Sequence, residues 1–133
     1  ELLPQPEEKA AYFRWMFFAA GPLEQAVTAK AMGWSEGDRQ VMVGFGSYER
    51  TMDALDQWLS SHAFVCGDRF TMADVYVGSQ VWWGLQFGSM PDRDSFRTYR
   101  DRVRDRPAAA ESAAIDNKLI AEMQATQGGN ASQ

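Results

Sequence analysis

The clearest hydrophobic pattern in the 133-residue chain runs from residue 36 to residue 61. Its apolar residues recur at spacings of four and three, which places them on one face of a helix. They are Val41, Phe45, Tyr48, Met52, Leu55 and Leu59. Ser35 stands just before the pattern and has the short polar side chain that a helix N-cap prefers. The pattern predicts a long helix over residues 36–61, in which Gly44 and Gly46 would let a neighbouring helix approach closely.

A second long helix is predicted over residues 7–32. Its apolar residues again recur three and four apart, at Ala10, Ala11, Phe13, Phe17, Ala20, Leu23 and Val27. Gly21-Pro22 lies inside this helix, and proline lacks the N–H that a helix interior needs, so we expect a kink there. Residues 1–6 contain two prolines and are predicted to be an extended interdomain linker.

Residues 71–87 are the most apolar segment, and no charged residue lies between Asp74 and Met90. A helix that is apolar nearly all round is normally a buried helix. The segment is too short for a membrane span, and polar residues interrupt it. We therefore predict a central buried helix around which the other helices pack.

The start of this central helix carries an explicit local signal. Thr71 is followed three residues later by Asp74, the spacing of a capping box, in which each side chain bonds the backbone N–H of the other residue. Phe70 and Val75 have the spacing of a hydrophobic staple. We interpret these four residues as structural.

The segments that follow are also predicted to be helical. Asp92 or Asp94 can cap a helix that ends near Asp105. Pro107 suits the first position of a short Ala-rich helix. Asn117 or its neighbours should interrupt that helix before three apolar residues dock: Leu119, Ile120 and Met123.

The fold class follows from these elements. Residues 127–133 have almost nothing to bury and are predicted to be a disordered tail. No long run alternates between apolar and polar residues, as a strand would. We therefore predict an all-α domain over residues 7–126, a bundle of five to six helices.

Charge and composition exclude several classes of function. The net charge of −5 argues against nucleic acid as a partner, because phosphate backbones are bound by clustered cations. Residues 93–106 are rich in arginine but interleaved with aspartates, which is typical of a solvated helix face. No secretory or membrane segment is visible. The single cysteine, Cys66, is interpreted as a small buried apolar residue in a cytoplasmic protein rather than as a reactive thiol.

A search of the sequence for catalytic residues finds no complete constellation. His62 is the only histidine and stands where a helix C-terminus favours a positive charge, so neither a metal site nor a histidine base with an orienting partner is expected. There is no CxxC motif and no phosphate-binding glycine loop. The acidic residues fall mostly on helix faces that should be solvated.

Three segments nevertheless resemble the C-terminal all-helical domain of bacterial-type cytosolic glutathione transferases. The string Gly67-x-x-Phe70-Thr71-x-Ala73-Asp74, with an aromatic residue at position 83, resembles the start of the sixth helix of that fold. Residues 12–24 resemble its fourth helix. Phe96-x-x-Tyr99 with Arg106-Pro107 resembles its seventh helix and the start of the eighth.

The resemblance implies a division of labour between two domains. The group that activates glutathione would belong to an N-terminal thioredoxin-like domain, which this chain lacks, so the chain alone should have no transferase activity. Glutathione would be the co-substrate of the full-length protein, while the chain itself holds no cofactor and no metal. The helical domain would supply much of a homodimer interface and one wall of a hydrophobic pocket for a small electrophile.

The residues of that wall are also implied by the resemblance. Trp83 and Phe87 match or adjoin a pocket-lining aromatic position, and the residues opposite would be Met16, Phe17 and Ala20. Ordinary core packing is the alternative for Trp83 and Phe87. Glu24 is acidic where some bacterial members place a polar residue near the glutathione of the partner subunit, and Trp82 stands where the family more often has a small residue.

Two further expectations concern partners. Without the N-terminal domain, aromatic surface that includes Trp15 and Phe18 should be left bare. The same helical domain also occurs as a non-catalytic protein–protein assembly module, in which Trp82 and Trp83 would serve packing and partner recognition only. Binding of a small apolar ligand would distinguish the pocket from the assembly module.

Overall fold

The structure is a computed structural model that describes residues 2–35 and 37–130, with side chains as far as residue 126. The described residues contain no β-strand, and the prediction of an all-α fold is confirmed. The α-helices are α1 Lys9–Phe18, α2 Glu24–Ala31, α3 Tyr48–Leu59, α4 Met72–Phe87, α5 Asp94–Arg104 and α6 Pro107–Asn130.

The chain divides into two compact units, Glu1–Arg100 and Asp101–Gln133. The first contains α1 to α4 and most of α5. The second consists of the end of α5 and α6, and α6 runs to Asn130 without the predicted break at Asn117. Asparagine in a helix interior costs only a few tenths of a kcal/mol, roughly, which the surrounding alanines offset. The predicted disordered tail thus overlaps the last turn of α6, and residues 131–133 lie outside the described residues.

The apolar residues of α6 do not dock as expected. Four of them are exposed: Ile115, Leu119, Ile120 and Met123. The prediction had Leu119, Ile120 and Met123 dock after a break near Asn117, and α6 has no such break. A continuous helix instead keeps them on its own surface.

A single π-helical turn, Ala19–Leu23, joins α1 to α2 at the position of the expected kink. Pro22 has no N–H, so the normal bond to the carbonyl four residues earlier cannot form. The chain accommodates the loss by lengthening one turn, and the N–H of Glu24 donates to the carbonyl of Ala19, five residues earlier. The helical path therefore continues past the proline.

The predicted start of the second long helix is wrong. Residues Gly37–Met42 form a 3-10 segment, and α3 begins only at Tyr48. Gly46 takes a left-handed conformation with φ of 72°, which ends any helix before it. The true N-cap is Ser47, whose Oγ accepts the N–H of Arg50 at 3.2 Å.

The predicted roles of Ser35 and Gly44 change with that boundary. Ser35 Oγ accepts the N–H of Gly37 at 3.2 Å, which makes a local turn in place of a helix cap. Gly44 lies outside any helix, and its nearest neighbour is the amide oxygen of Gln25 at ordinary contact distance. Val41, which the pattern placed on the buried face, is 94% exposed.

Helix α4 packs against α1 and lines the core along one face only. Its buried residues are Ala73, Asp74, Val77, Gly78, Val81 and Gly84. Met72, Val75, Trp83 and Phe87 are exposed. The expectation that this helix is buried all round is therefore wrong for one face, because the neighbouring helices cover only the other.

A buried carboxylate holds the start of α4. Asp74 is fully buried, and both halves of a capping box with Thr71 are present. The carboxylate accepts the N–H of Thr71 at 2.8 Å and its hydroxyl at 3.1 Å. It also accepts the N–H of Val65 at 2.8 Å and the hydroxyl of Tyr99 at 2.9 Å. One side chain thus joins the preceding loop, the helix cap and α5.

The predicted staple and linker lie beside this cap. Phe70 packs edge-on against Phe64, with 5.6 Å between ring centroids, while Val75 is exposed, so the staple stays a prediction. The N–H of Met72 donates to the carbonyl of Leu2 at 2.9 Å. The guanidinium of Arg69 donates to the carboxylate of Glu8 and to a backbone carbonyl of the linker. These bonds fasten the linker to the start of α4.

The end of α4 depends on a close contact at Gly84. Gly88 ends the helix in the left-handed conformation, and the N–H of Met90 donates to the carbonyl of Gly84 at 3.0 Å. Met90 is buried against the same glycine. A Cβ at Gly84 would lie 2.4 Å from Cγ and 2.6 Å from Sδ of Met90.

We expect Gly84→Ala to lower the free energy of unfolding by about 1–3 kcal/mol, because the new methyl group would overlap Met90. Urea unfolding measures this value. Gly21→Ala is the matched control, since no atom lies within 4 Å of its added Cβ. Its stability should be unchanged or slightly higher. Equal losses in both variants would contradict the role of the Met90 contact.

The second prediction concerns pH. Burial raises the pKa of Asp74 above its ordinary value of 3.8, although the four donors oppose the shift. The folded chain therefore holds this proton more tightly than the unfolded chain, and the free energy of unfolding should fall as pH rises from about 4 through the raised pKa. Asp74→Asn should lose this part of the pH dependence. If the free energy of unfolding of the wild type instead rises with pH relative to that of the variant, the four hydrogen bonds lower the pKa of Asp74 more than burial raises it.

Candidate functional site

Trp83 and Phe87 form an exposed aromatic pair on α4, which we call the α4 aromatic face. The rings are stacked, with centroids 5.2 Å apart and planes 6° from parallel. Trp83 is 45% exposed and Phe87 is 72% exposed. Trp82 lies beside Trp83 at 4.1 Å between centroids, tilted by 51°. The two stacked rings thus leave a large apolar surface exposed to solvent.

The helical period explains why these two residues share a face. Side chains four apart on a helix are neighbours, so Phe87 lies one turn beyond Trp83. The opposite side of the same turns carries Val77 and Val81, which are fully buried. Because the core is filled from that side, the aromatic pair is not needed to complete it. The ordinary-core alternative therefore does not describe these two rings.

The residues expected opposite the pair lie on α1 and the π turn. Met16 is half-buried, Ala20 is exposed, and Phe17 is 72% exposed. Among the described rings, Phe17 makes no ring contact with Trp83 or Phe87. The structure therefore brings together Trp83 and Phe87, and it shows no ring contact between this pair and Phe17 among the described residues.

A polar contact links α4 to the π turn. The side-chain amide of Gln80 donates to the carbonyl of Ala19 at 3.1 Å and to Oε2 of Glu24 at 3.2 Å. Gln80 precedes Trp83 by three residues and so lies beside it on the helix surface. Sequence reasoning missed Gln80, although a polar residue inside an otherwise apolar helix is itself a signal.

The expectation that Trp15 is part of a bare surface is wrong. Trp15 is 2% exposed, and its ring packs against Phe18 and Trp58 at centroid distances of 5.1 and 5.6 Å. Phe18 is half-buried. The exposed aromatic residues of α1 are Phe13 and Phe17. The pattern could not distinguish these faces, because aromatic residues surround α1.

The structure does bring one serine and the histidine together, which the sequence did not predict. Oγ of Ser61 and Nδ1 of His62 are 3.0 Å apart. Both groups also reach the carbonyl of Trp58, at 3.3 and 3.0 Å, and the imidazole stacks on the indole of Trp58. A nitrogen that donates to that carbonyl cannot accept the proton of the serine. The pair therefore caps the end of α3 and does not make an activated nucleophile.

The single thiol is not activated either. Burial raises the pKa of Cys66, and its sulfur lies 3.4 Å from the hydroxyl of Thr71. A thiol with a raised pKa stays protonated up to a higher pH, whereas the deprotonated thiolate is the reactive form. Cys66 is half-buried, in keeping with a packing role.

Two searches of the described residues bear on other kinds of site. No group of three or more histidine, cysteine, aspartate or glutamate side chains is placed to hold a metal ion in that part of the chain. None of the described helices has both the length and the apolar character that crossing a membrane requires.

Comparison with known proteins gives one match. The family model of the glutathione S-transferase C-terminal domain matches residues 14–107, which is more than half of the chain. No curated protein and no solved structure matches it significantly. The matched segment runs from the second half of α1 through α5 and includes the π turn and the α4 aromatic face.

Phe87→Ala should lower the free energy of unfolding by less than about 1 kcal/mol, because most of the ring is already in water. Phe96→Ala removes the same side chain from a fully buried position on α5 and should cost about 3–5 kcal/mol. Urea unfolding of the two variants tests the difference. Similar losses would place Phe87 in the core and remove it from the candidate site.

Proposed function

We propose a function for this chain on the basis of its family. The chain belongs to the glutathione S-transferase C-terminal domain family. We propose that it supplies the wall on which a small hydrophobic electrophile binds in a full-length enzyme. That enzyme would conjugate glutathione to the electrophile, or reduce a substrate with glutathione. The observation that carries the proposal is the stacked, solvent-exposed pair Trp83 and Phe87.

The physical basis of such a wall is the burial of apolar area. Each Å² of apolar surface removed from water contributes roughly 25 cal/mol, and this term requires no directional group. The exposed outer surface of the stacked rings can pack against an aromatic electrophile and add offset-stacking or edge-to-face interactions. A wall of this kind accepts many ligands of similar shape, which suits an enzyme that acts on varied electrophiles.

The reaction itself would require groups from outside this chain. Conjugation needs a side chain that stabilises the glutathione thiolate. The raised pKa of Cys66 and the capping role of Ser61 and His62 argue against these residues in that role. We propose that a thioredoxin-like domain N-terminal to the linker supplies the group, and that glutathione binds there as co-substrate. The bonds from Arg69 and Met72 to the linker would then help set the position of that domain.

We further propose that the full-length protein is a cytoplasmic homodimer of the bacterial type. The exposed rings of Phe13 and Phe17 on α1 support an interface on that helix, because exposed apolar surface commonly marks a site of association. The assembly module remains the competing function, and the ligand measurement below separates the two.

The test is ligand-observed NMR of tert-butylbenzene with increasing amounts of the 133-residue chain. We expect saturable binding that weakens about threefold to tenfold in the double variant Trp83→Ala/Phe87→Ala, since a stacked aromatic contact contributes about 0.5–1.5 kcal/mol. Phe13→Ala removes an exposed phenyl ring from α1 and is the matched control. It should leave the affinity unchanged. Absence of binding, or equal losses in all variants, would favour the assembly module.

A kinetic measurement tests the proposed role of an N-terminal domain. The chain mixed with glutathione and benzyl chloride should not raise the rate of thioether formation above that of the uncatalysed reaction, because the proposal assigns the group that activates the thiol to that other domain. Thioether formation is followed by chromatography, and serum albumin at equal mass is the control for non-specific effects. A rate that rises in proportion to the chain would contradict the division of labour between the two domains.

A further inference from the structure

The carboxylate of Glu24 is exposed but has a defined partner. Oε2 of Glu24 accepts a hydrogen bond from the amide of Gln80 at 3.2 Å. The same amide nitrogen donates to the carbonyl of Ala19 at 3.1 Å, so one acceptor on the π turn and one at the start of α2 orient it. The negative charge is therefore held against the surface of α4 instead of moving freely in solvent.

This charge lies next to the α4 aromatic face. Gln80 and Trp83 are three residues apart on α4, which makes their side chains neighbours. A long side chain on a helix also leans towards the helix N-terminus, so the indole of Trp83 lies over the turn that contains Gln80. Phe87 extends the stack by one more turn. The site thus combines a positioned carboxylate with a partly exposed aromatic stack.

Both components attract positive charge. The face of an aromatic ring carries negative potential and binds cations, and a carboxylate binds them directly. Residues 75–89 contain no charged side chain, so α4 offers no cation of its own to Glu24. Arg14 and Lys30, on the same helical path as Glu24, hold their charges over the rings of Trp58 and Tyr48, at 5.8 and 5.2 Å.

We propose that Glu24 and the α4 aromatic face bind an organic cation that carries an aromatic ring. The ring would lie on Trp83 and Phe87, and the positive group would point to the carboxylate of Glu24. The inference rests on the proposed function and narrows it, because it makes positively charged aromatic electrophiles the preferred class of second substrate. Gln80 is a positioning residue in this site, since it acts on the ligand only by orienting Glu24.

Two probes of nearly equal shape test the charge directly. Phenyltrimethylammonium carries a permanent positive charge, and tert-butylbenzene is its neutral analogue. Dissociation constants for both are measured by NMR titration with the 133-residue chain. We expect Glu24→Gln to weaken binding of the cation about threefold, as for an exposed charge contact, and to leave the neutral probe within error.

The matched control is Glu7→Gln. It removes the same charge from the 3-10 turn Pro6–Glu8, and the whole of α1 and the π turn lie between this turn and Glu24. The affinity for both probes should stay unchanged, because the 10 residues of α1, at about 1.5 Å each, already exceed the screening length of about 8 Å at physiological salt. If Glu7→Gln weakens cation binding as much as Glu24→Gln does, the effect comes from net charge and the inference is wrong.

A charge reversal separates recognition from damage to the fold. Glu24→Lys should weaken the binding of phenyltrimethylammonium further and strengthen the binding of benzenesulfonate, while tert-butylbenzene still binds. If neither original probe binds the wild type, the proposed function fails together with this inference. If binding of tert-butylbenzene depends on Trp83, but Glu24→Gln leaves the affinity for phenyltrimethylammonium unchanged, only this inference fails.

Discussion

The described fold depends most on the buried carboxylate of Asp74. Four donors from Val65, Thr71 and Tyr99 converge on its two oxygens. Burying a charge is unfavourable unless several groups bond it, so removing any of these donors would leave part of that desolvation uncompensated. Through this one group, the loop before α4, the first turn of α4 and the inward face of α5 are held in a single arrangement.

That arrangement gives α4 two different surfaces. Val77 and Val81 complete the core on one side, while Trp83 and Phe87 stay open on the other. A surface built on a helix that is fixed at its start by Asp74 and at its end by the Gly88 cap does not need to reorganise to receive a flat ligand. Such preorganisation reduces the entropy that binding would otherwise lose.

The neighbouring π turn connects this surface to the first helices. Pro22 forces a change in the hydrogen-bond pattern, and the widened turn leaves the carbonyl of Ala19 able to accept the amide of Gln80. A local backbone constraint in one helix thus determines which polar contact the other can make. It also places Glu24 beside the part of α4 after Asp74, which has no charged side chain, and the proposed selectivity of the site for charge would arise there.

Local signals in the sequence were sufficient to predict the all-α class, the start of α4 at Thr71 and the shared helix face of Trp83 and Phe87, because they depend only on caps and helical spacing. The sequence pattern placed the start of α3 wrongly, since the left-handed Gly46 and the cap at Ser47 overrode an extended apolar period. Which side of α4 faces solvent depends on tertiary packing, which the sequence pattern did not predict. A helix that is apolar all round carries no periodic signal, so packing against its neighbours alone selects the exposed face.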